Sequence, residues 1–487
     1  MAEVKKKSGI KDLPFTYWIS IIFEFFERGS YYGVMSILSV YMVDQLGFAK
    51  DGFSGVGTIR GFLQFAFIYG LPLFSGAVAD KLGYKKTLLV AFGLLGSGYI
   101  LASQTTDHLF FFLFLVIMGI GAGTFKPVIS GTIAKVTDEG NSTTAFGIFY
   151  WTINLGAFLV PLFIVPVLKE LYGWNYVLLA AGIGTGAMII PTLFVYKEPP
   201  REKIVKEPIG KIISGIFEKV FLVFKDWRFI LFIFIYSWFW ILYFQMFGTV
   251  LWYVQYFVDP TSFNVFVNNM FGENWLYNLA GINYKFGVEF VTVINAGTII
   301  ALQIVVTSIV RNTKALPTML TGIALGTLGM AMLAISNSIW IFMAGIIIFS
   351  IGEMTAHPKF ISYLGTIAPA DKKATYMGFG FLYGMIGALV GEILGANLYT
   401  RLVDNPMINF IREKLAASGE NIVMAKDILI KDALEIAGKI GLTKDQIAVN
   451  AYTDELWIIF SGIGVICIIG LLAYGKFIGT REASDFN

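Results

Sequence analysis

The feature that most constrains this chain is a series of apolar stretches long enough to cross a lipid bilayer. A membrane-spanning helix needs about 20 mostly apolar residues. Twelve stretches meet this requirement, at residues 15–43, 55–79, 87–104, 108–134, 145–168, 175–196, 229–257, 287–310, 317–335, 339–367, 374–400 and 456–478. The composition agrees, because 56% of the residues are hydrophobic and only 14% are charged, whereas soluble domains average about 45–50% and about 25%. The sequence therefore predicts an all-α membrane protein.

The same composition excludes several kinds of site. A single cysteine, Cys467, rules out a disulfide framework, and two histidines, His108 and His357, are too few for a His- or Cys-rich metal centre. The net charge of +3 is too small to indicate a nucleic-acid partner. We therefore expect no metal and no cofactor. The lipid bilayer is an expected partner, and the oligomeric state is left open.

The spans divide evenly around a charged segment. We expect an N-terminal six-helix bundle at 1–196, a cytoplasmic linker at 197–228 and a C-terminal six-helix bundle at 229–487. Apolar residues of the linker recur at helical spacing, which predicts that part of it lies on the membrane surface. Two long segments, at about 258–286 and 401–455, are expected as extracytoplasmic insertions. Two halves of six spans are typical of transporters with a substrate site at the midplane between the halves.

The distribution of basic residues predicts the orientation, because cytoplasmic loops carry an excess of lysine and arginine. With a cytoplasmic N-terminus, most of the 36 basic residues fall in cytoplasmic segments. The N-terminus lacks the pattern of a cleaved signal peptide, so the first span is interpreted as an uncleaved anchor. We expect a multi-pass protein of the inner or plasma membrane with both termini in the cytoplasm.

The loop after the second span carries a motif made of Gly76, Asp80, Gly83, Lys85 and Lys86. The glycines suit a tight turn, and Asp80 can pair with a basic residue on a neighbouring helix, which would hold the cytoplasmic side in one of two states. The motif resembles the loop signature of the major facilitator superfamily. That resemblance implies the fold of the superfamily, with 12 transmembrane helices in two six-helix halves. An ordinary positively charged cytoplasmic loop is the alternative.

Ionisable residues inside the spans are the main functional candidates, because charge within a bilayer is costly and usually functional. Glu24, Glu27 and Arg28 lie in the first span, with Glu24 roughly 15 Å from its start. Helical spacing places Glu24 beside both of the others, so two carboxylates share one guanidinium and the surplus acid can carry a proton. Lys126 in the fourth span is a candidate to neutralise that acid. These four residues form the predicted proton-coupling group, with a purely structural ion-pair network as the alternative.

The second half contains further candidates. Glu353 lies near the middle of the tenth span, His357 lies one helical turn beyond it, and Pro358 predicts a kink. Glu392 in the eleventh span is an acid for which the sequence indicates no partner. Polar residues that are candidates to line a cavity, and that can equally form helix–helix hydrogen bonds, are Tyr31, Tyr32, Tyr69, Tyr150, Asn154, Gln245 and Asn295.

Five segments resemble, in order and spacing, the signatures of the proton-dependent oligopeptide transporter (POT/PTR) family. They are Glu24-Phe-Phe-Glu27-Arg28-Gly-Ser-Tyr31-Tyr32-Gly33, Gly121-Ala-Gly-Thr-Phe-Lys126-Pro127, Phe149-Tyr150-Trp-Thr-Ile-Asn154-Leu-Gly156, Phe239-Trp240 with Gln245, and Gly352-Glu353 with Pro358. The resemblance covers both halves, over roughly residues 15–400.

The resemblance implies a proton-coupled symporter that imports di- or tripeptides or a related small solute by alternating access. Proton coupling is implied for Glu24, Glu27, Arg28 and Lys126. Contact with the amino end of the substrate is implied for Asn154, Asn295 and Glu353. The remaining implied pocket residues are Tyr31, Tyr32, Tyr69, Tyr150 and Gln245, with Lys126 as the base for the substrate carboxylate.

The chain departs from the family at one position that concerns the substrate. Members commonly have an arginine two residues after Tyr-Tyr-Gly that holds the peptide carboxylate, and this chain has Met35 there. A thioether cannot replace a guanidinium. Alternatives are therefore a substrate other than a dipeptide, or export in place of import. A transporter-like receptor or scaffold is a further alternative, against which the cost of the intramembrane charges speaks. An enzyme is not expected, because no nucleophile–base pair or metal constellation is visible.

Overall fold

The computed structural model describes residues 10–138, 140–200, 208–272, 285–369, 372–420, 422–426 and 428–479. Within these ranges the chain is built from α-helices joined by short turns and by π-helical segments, with one isolated β-bridge between Asp259 and Ser338. The prediction of an all-α protein is confirmed.

The helices of the first half are α1 (Phe15–Val40), α2 (Val56–Leu63), α3 (Pro72–Leu82), α4 (Tyr84–Ser103), α5 (His108–Val136), α6 (Ser142–Leu159), α7 (Val165–Leu171), α8 (Asn175–Ala187) and α9 (Ile189–Phe194). The linker contains α10 (Ile209–Phe224). The helices of the second half are α11 (Trp227–Gln245), α12 (Thr249–Tyr256), α13 (Thr261–Phe271), α14 (Phe290–Val310), α15 (Ala315–Met332), α16 (Ile339–Ile367), α17 (Lys373–Phe379), α18 (Leu382–Tyr399), α19 (Asn405–Ser418), α20 (Ile430–Lys439), α21 (Lys444–Ala448) and α22 (Thr453–Tyr474).

The lengths and compositions of these helices suit a membrane. Within the described residues, ten helices, some of them made of adjoining segments, are long and apolar enough to cross a bilayer. The segments Val56–Gly70 and α3 are bent by 41° relative to each other, and they count as an eleventh span when they are taken together as one broken helix. The 26 residues of α1 also reach across, although this helix carries the three charges of the first predicted span. These helices coincide with the twelve predicted stretches.

Packing within each half brings the charged helices together. In the first half, α4 lies between α5 and α8, and α1 packs against α6 and α8. In the second half, α16 packs against α14 and α15, and α11 packs against α18 and α22. The two halves meet where α2 lies along α18, where α6 lies along α14, and where α1 contacts α12. The charged residues of α1 and α2 therefore lie close to the boundary between the halves.

The segments outside the spans are partly helical. The helix α10 of the linker packs against α3, α11 and α17, and it exposes Phe217, Phe221 and Phe224. The eleventh span continues beyond its predicted end at residue 400, through Thr400–Asp404 into α19. The predicted insertion at 401–455 therefore begins inside a continuous helix and not in a loop. Residues 1–9, 201–207 and 273–284 lie outside the described residues, so parts of the predicted N-terminus, linker and first insertion do as well.

Candidate functional site

The three charged residues of α1 lie close together, but Arg28 contacts its two acidic neighbours unequally. Arg28 donates two hydrogen bonds to Glu27, one of them from Nη2 to Oε1 at 2.7 Å. Glu24 lies farther away, with Oε1 at 3.8 Å from Arg28 Nε, and its Oε2 is buried with no hydrogen-bond partner among the described residues. All three residues are at most 6% exposed. Glu27 therefore neutralises Arg28, and Glu24 is the surplus acid.

Aromatic and amide groups pack around this cluster. The guanidinium carbon of Arg28 lies 4.7 Å from the centroid of the Tyr31 ring, a distance at which a cation is attracted to the π system. Gln64, on the π-helical segment after α2, donates a hydrogen bond of 2.7 Å to the Tyr31 hydroxyl. Tyr32 contacts the Tyr31 ring and reaches the ring of Phe247 in the second half. Sequence analysis did not single out Gln64.

Lys126 faces a cavity of about 500 Å³, which we call the inner cavity. Its first-half wall includes Lys126, Tyr69, Pro127 and Ser130, its second-half wall includes Gly378, Phe379 and Phe381, and α10 contributes Ile216 and Lys219. Lys126 Nζ lies 5.2 Å from the centroid of the Tyr69 ring. Among the described residues, no carboxylate oxygen lies within 4.0 Å of Lys126 Nζ. The predicted neutralisation of the span-one acid by direct contact with Lys126 is therefore not formed in this conformation.

A second polar group surrounds Glu353. Asn295 Nδ2 donates to Glu353 Oε2 at 3.2 Å and to Ser350 Oγ at 2.9 Å. Tyr150, Glu353 and His357 line a smaller cavity of about 270 Å³. His357 Nδ1 lies 3.3 Å from the hydroxyl of Tyr236. The structure thus brings Tyr150, Glu353 and Asn295 into one region.

Two of the predicted pocket residues, Gln245 and Asn154, form hydrogen bonds with the backbone of helices. Gln245 is 1% exposed, and its Nε2 donates to the carbonyls of Ile241 and Gly391, which ties α11 to α18. Its Oε1 accepts a hydrogen bond from Thr249. Asn154 donates to the carbonyl of Tyr150 on its own helix. For Gln245 the geometry favours the alternative of a helix–helix hydrogen bond, whereas the bond of Asn154 stays within α6.

The loop motif forms a contact with α5. Asp80 Oδ1 accepts hydrogen bonds from Lys135 Nζ at 2.8 Å and from the Tyr84 hydroxyl at 2.9 Å. Gly83 connects α3 to α4 with a φ of 104°, a conformation that favours glycine. Next to it, Glu198 accepts from the backbone N–H groups of residues 84 and 85. The basic partner of Asp80 is thus on the same half of the protein.

The remaining residues of the motif have separate neighbours. Lys85 Nζ donates to the carbonyl of Leu193, and Lys86 is exposed. A Cβ added at Gly76 would lie 3.4 Å from Pro127 Cβ. This is an ordinary van der Waals distance, so the packing of α3 against α5 does not by itself require a glycine at this position.

Among the described residues, three ion pairs join the two halves, and we call them the outer ion pairs. They are Arg60–Glu392 at 2.8 Å, Lys50–Asp404 at 2.7 Å and Lys169–Glu289 at 2.7 Å. In each pair the first half supplies the cation and the second half supplies the acid. The sequence analysis left Glu392 without a partner, and the structure assigns it Arg60. Arg60 and Glu289 could have been noticed as charged residues within predicted spans. Lys50, Asp404 and Lys169 flank the spans.

One of the outer ion pairs is enclosed by aromatic rings. Lys50 Nζ lies 4.5 Å from the ring centroid of Tyr399, 5.3 Å from that of Tyr256 and 5.4 Å from that of Trp252. Lys50 itself is 3% exposed. A desolvated cation over aromatic rings is held more strongly than an exposed one, so this pair fastens the loop after α1 to the second half.

The outer ion pairs and the inner cavity lie at opposite ends of the bundle. Arg60 lies near the start of the second span, whereas Tyr69 and Pro72, which line the cavity, lie nearer its other end. Within the described residues, every ion pair between the halves belongs to the outer set. The halves are therefore joined at one end and separated by a cavity at the other.

Comparison with known proteins agrees with this architecture. The sequence profile of the Major Facilitator Superfamily matches residues 18–392. The chain belongs to the Major Facilitator Superfamily. It is thus a multi-pass membrane transporter, and the prediction that it is not an enzyme is confirmed.

Individual relatives show which members of the superfamily this chain is similar to. The dipeptide and tripeptide permease B of Aliivibrio fischeri (strain MJ11) is 35% identical over 195 residues, which are 39% of this chain and 37% of that permease. The match thus spans less than half of the length of this relative. A crystal structure of a POT family transporter in complex with 5-aminolevulinic acid gives a TM-score of 0.65 at 19% identity, covering 96% of this chain and 97% of that one. The resemblance to the POT family is confirmed by these similarities.

The fold alone does not select the substrate. The crystal structure of the nucleoside transporter NupG also gives a TM-score of 0.65, at 15% identity, and covers 94% of this chain and 99% of that one. Proteins with different transported solutes thus share this architecture. The choice of solute therefore depends on the side chains of the site and not on the fold.

The open inner cavity and the closed opposite end of the bundle predict that cysteines placed at the two ends differ in their accessibility to water-soluble reagents. In a Cys467→Ala background, which removes the buried native thiol, Ser130→Cys on the cavity wall should react rapidly with a membrane-impermeant maleimide. Thr249→Cys, at a position 1% exposed, should be protected. The measurement is the labelling rate in sealed vesicles of each orientation. Equal rates at the two positions would contradict the closed outer end.

Proposed function

We propose that this chain is a proton-coupled symporter that imports di- or tripeptides, or a related small organic solute, by alternating access. The observation that carries the proposal is the unequal sharing of Arg28, which leaves the buried Glu24 as a surplus acid. A buried carboxylate without full neutralisation is costly, so protonation relieves it. An acid of this kind can carry one proton per cycle. The names of the permease relatives support the peptide-like substrate.

The charges around the cavities suit a zwitterionic solute. Lys126 faces the inner cavity and is not paired with a described carboxylate, so it is available for the carboxylate of a solute. Glu353, oriented by Asn295, is an acid that suits an amino group. Proton binding at Glu24 and solute binding at Lys126 then act on neighbouring groups, which is the physical basis for coupling the two.

We propose that the structure represents the inward-facing state of the cycle. The positive-inside rule assigns the inner cavity to the cytoplasmic side and the outer ion pairs to the opposite side, with both termini in the cytoplasm. Reaching the outward-facing state requires the three outer ion pairs to separate. Because breaking a buried pair leaves uncompensated charge, these pairs bias the protein toward the inward-facing state until water or a solute replaces the lost contacts.

One observation favours a second candidate substrate. Met35, which stands where the related family commonly has its carboxylate-binding arginine, is 5% exposed and packs in the apolar core. Under the second candidate the transported solute has no free carboxylate, while the proton coupling at Glu24 is the same. Comparing a dipeptide with its C-terminal amide distinguishes the two.

The proton-coupling role is tested by Glu24→Gln. In proteoliposomes with an inward proton gradient, the wild type should accumulate at least one member of a panel of dipeptides, dipeptide amides and 5-aminolevulinic acid. The variant should lose gradient-driven accumulation and keep counterflow exchange, because an amide cannot carry the proton but preserves the volume. The matched control Glu435→Gln, at an exposed position, should behave as the wild type. Gradient-driven accumulation by Glu24→Gln would contradict the role, and no flux of any solute by the wild type would contradict the proposed function.

The outer ion pairs are tested by exchanging their charges. Arg60→Glu places two acids together in a buried site and should reduce uptake at least tenfold, because like charges in a low dielectric repel strongly. The double variant Arg60→Glu with Glu392→Arg restores an opposite-charge pair and should recover a substantial part of the rate. Arg401→Glu, at an exposed position, is the matched control. A double variant no faster than the single one would contradict a pairing role.

A further inference from the structure

The linker takes part in the wall of the inner cavity. Its helix α10 packs against α3 of the first half and against α17 of the second half, so it crosses the mouth of the cavity. The ring of Phe217 lies 5.5 Å from the ring of Phe74 in α3, which fixes one side of the helix. Ile216 and Lys219 of the same helix line the cavity. A segment expected to connect the halves and to lie partly on the membrane surface thus contributes side chains to the wall of the cavity.

The charges that line the inner cavity are of one sign. Lys126 lies at its depth, Lys219 lies on the linker at its mouth, and no aspartate or glutamate is among the described lining residues. Among the described residues, no carboxylate oxygen lies within 4.0 Å of Lys219 Nζ. The rest of the wall is mostly apolar or aromatic. A cleft with charge of one sign and low-dielectric walls concentrates ligands of the opposite charge.

We propose that Lys219 is a specificity-determining residue that binds the carboxylate of solutes in the inner cavity. This inference rests on the proposed function and extends it to the substrate class, which is small solutes with a free carboxylate. Lys126 and Lys219 form two successive positions for that carboxylate between the depth of the cavity and the cytoplasm. The second cation, supplied by the linker, offsets the loss of a guanidinium at Met35. The effect of Lys219 is confined to the cytoplasmic side, because the residue lies at that mouth.

The test compares Lys219 with another lysine of the same helix. Lys211 is also exposed on α10 but does not line the cavity, so Lys211→Gln is the matched control. Inside-out vesicles present the cytoplasmic face to the medium. The measured quantity is the concentration of an unlabelled dipeptide, and of its C-terminal amide, that halves the uptake of a labelled dipeptide carried by the wild type.

Lys219→Gln should raise the half-inhibitory concentration of the free dipeptide about two- to fivefold, the range of an exposed ion pair. The value for the amide should not change, because the amide lacks the negative charge. Lys219→Glu should give a larger loss, and Lys219→Arg should match the wild type because it keeps the charge. Lys211→Gln should leave both values unchanged.

Two results would overturn the inference while leaving the proposed function intact. The first is a Lys219→Gln variant that matches Lys211→Gln for the free dipeptide. The second is an equal shift for the free dipeptide and the amide, which would mean that Lys219 acts through the helix or the lipid surface. A wild type that carries no dipeptide or related solute at all would overturn the proposed function together with the inference.

Discussion

The charges inside this protein are organised around one guanidinium that is shared unequally between two acids on the same helix. Arg28 makes both of its short contacts with Glu27, and Glu24 is left at the longer distance of 3.8 Å with a buried, unpartnered oxygen. In a bilayer, a charge that is not neutralised has to be paired, hydrated or protonated. This constraint is the physical basis for proposing Glu24 as the member of the group that carries a proton. It also explains why α1 packs centrally among α6, α8 and α12, where lipid does not reach the acid.

The other charge pairs divide according to the motion that they restrict. The pair of Asp80 and Lys135 lies within the first half, so it stiffens that half as a body. The outer ion pairs instead cross between the halves and have all their cations on one side of the boundary. These three ion pairs hold the halves together at one end of the bundle and leave the opposite end unconstrained. The inner cavity occupies the end where the halves are not joined, and the linker helix α10 lies across its mouth.

Much of the fold could be predicted from the sequence, because the spans are a local property of composition. The cluster on α1 could be predicted for the same reason, since helical spacing alone places Glu24 beside Arg28. The outer ion pairs could not. Arg60 and Glu392 are separated by 332 positions in the chain, and their pairing depends on how α2 lies along α18. The hydrogen bonds of Gln245 could not be predicted either. A glutamine that lines a pocket and a glutamine that bonds two helices together look the same in the sequence. The proposed role of Lys219 could not be predicted either. It depends on where the linker helix packs, and hydrophobic spacing alone does not show that.

The central claim is that Glu24 carries the proton that accompanies the solute. The most direct measurement is the internal pH of proteoliposomes that start without any proton gradient and contain a pH-sensitive dye. Adding external solute that the wild type carries should acidify the interior, because each inward step brings a proton with it. Glu24→Gln should still bind and exchange the solute without changing the internal pH. Solute-dependent acidification by Glu24→Gln equal to that of the wild type would contradict the account.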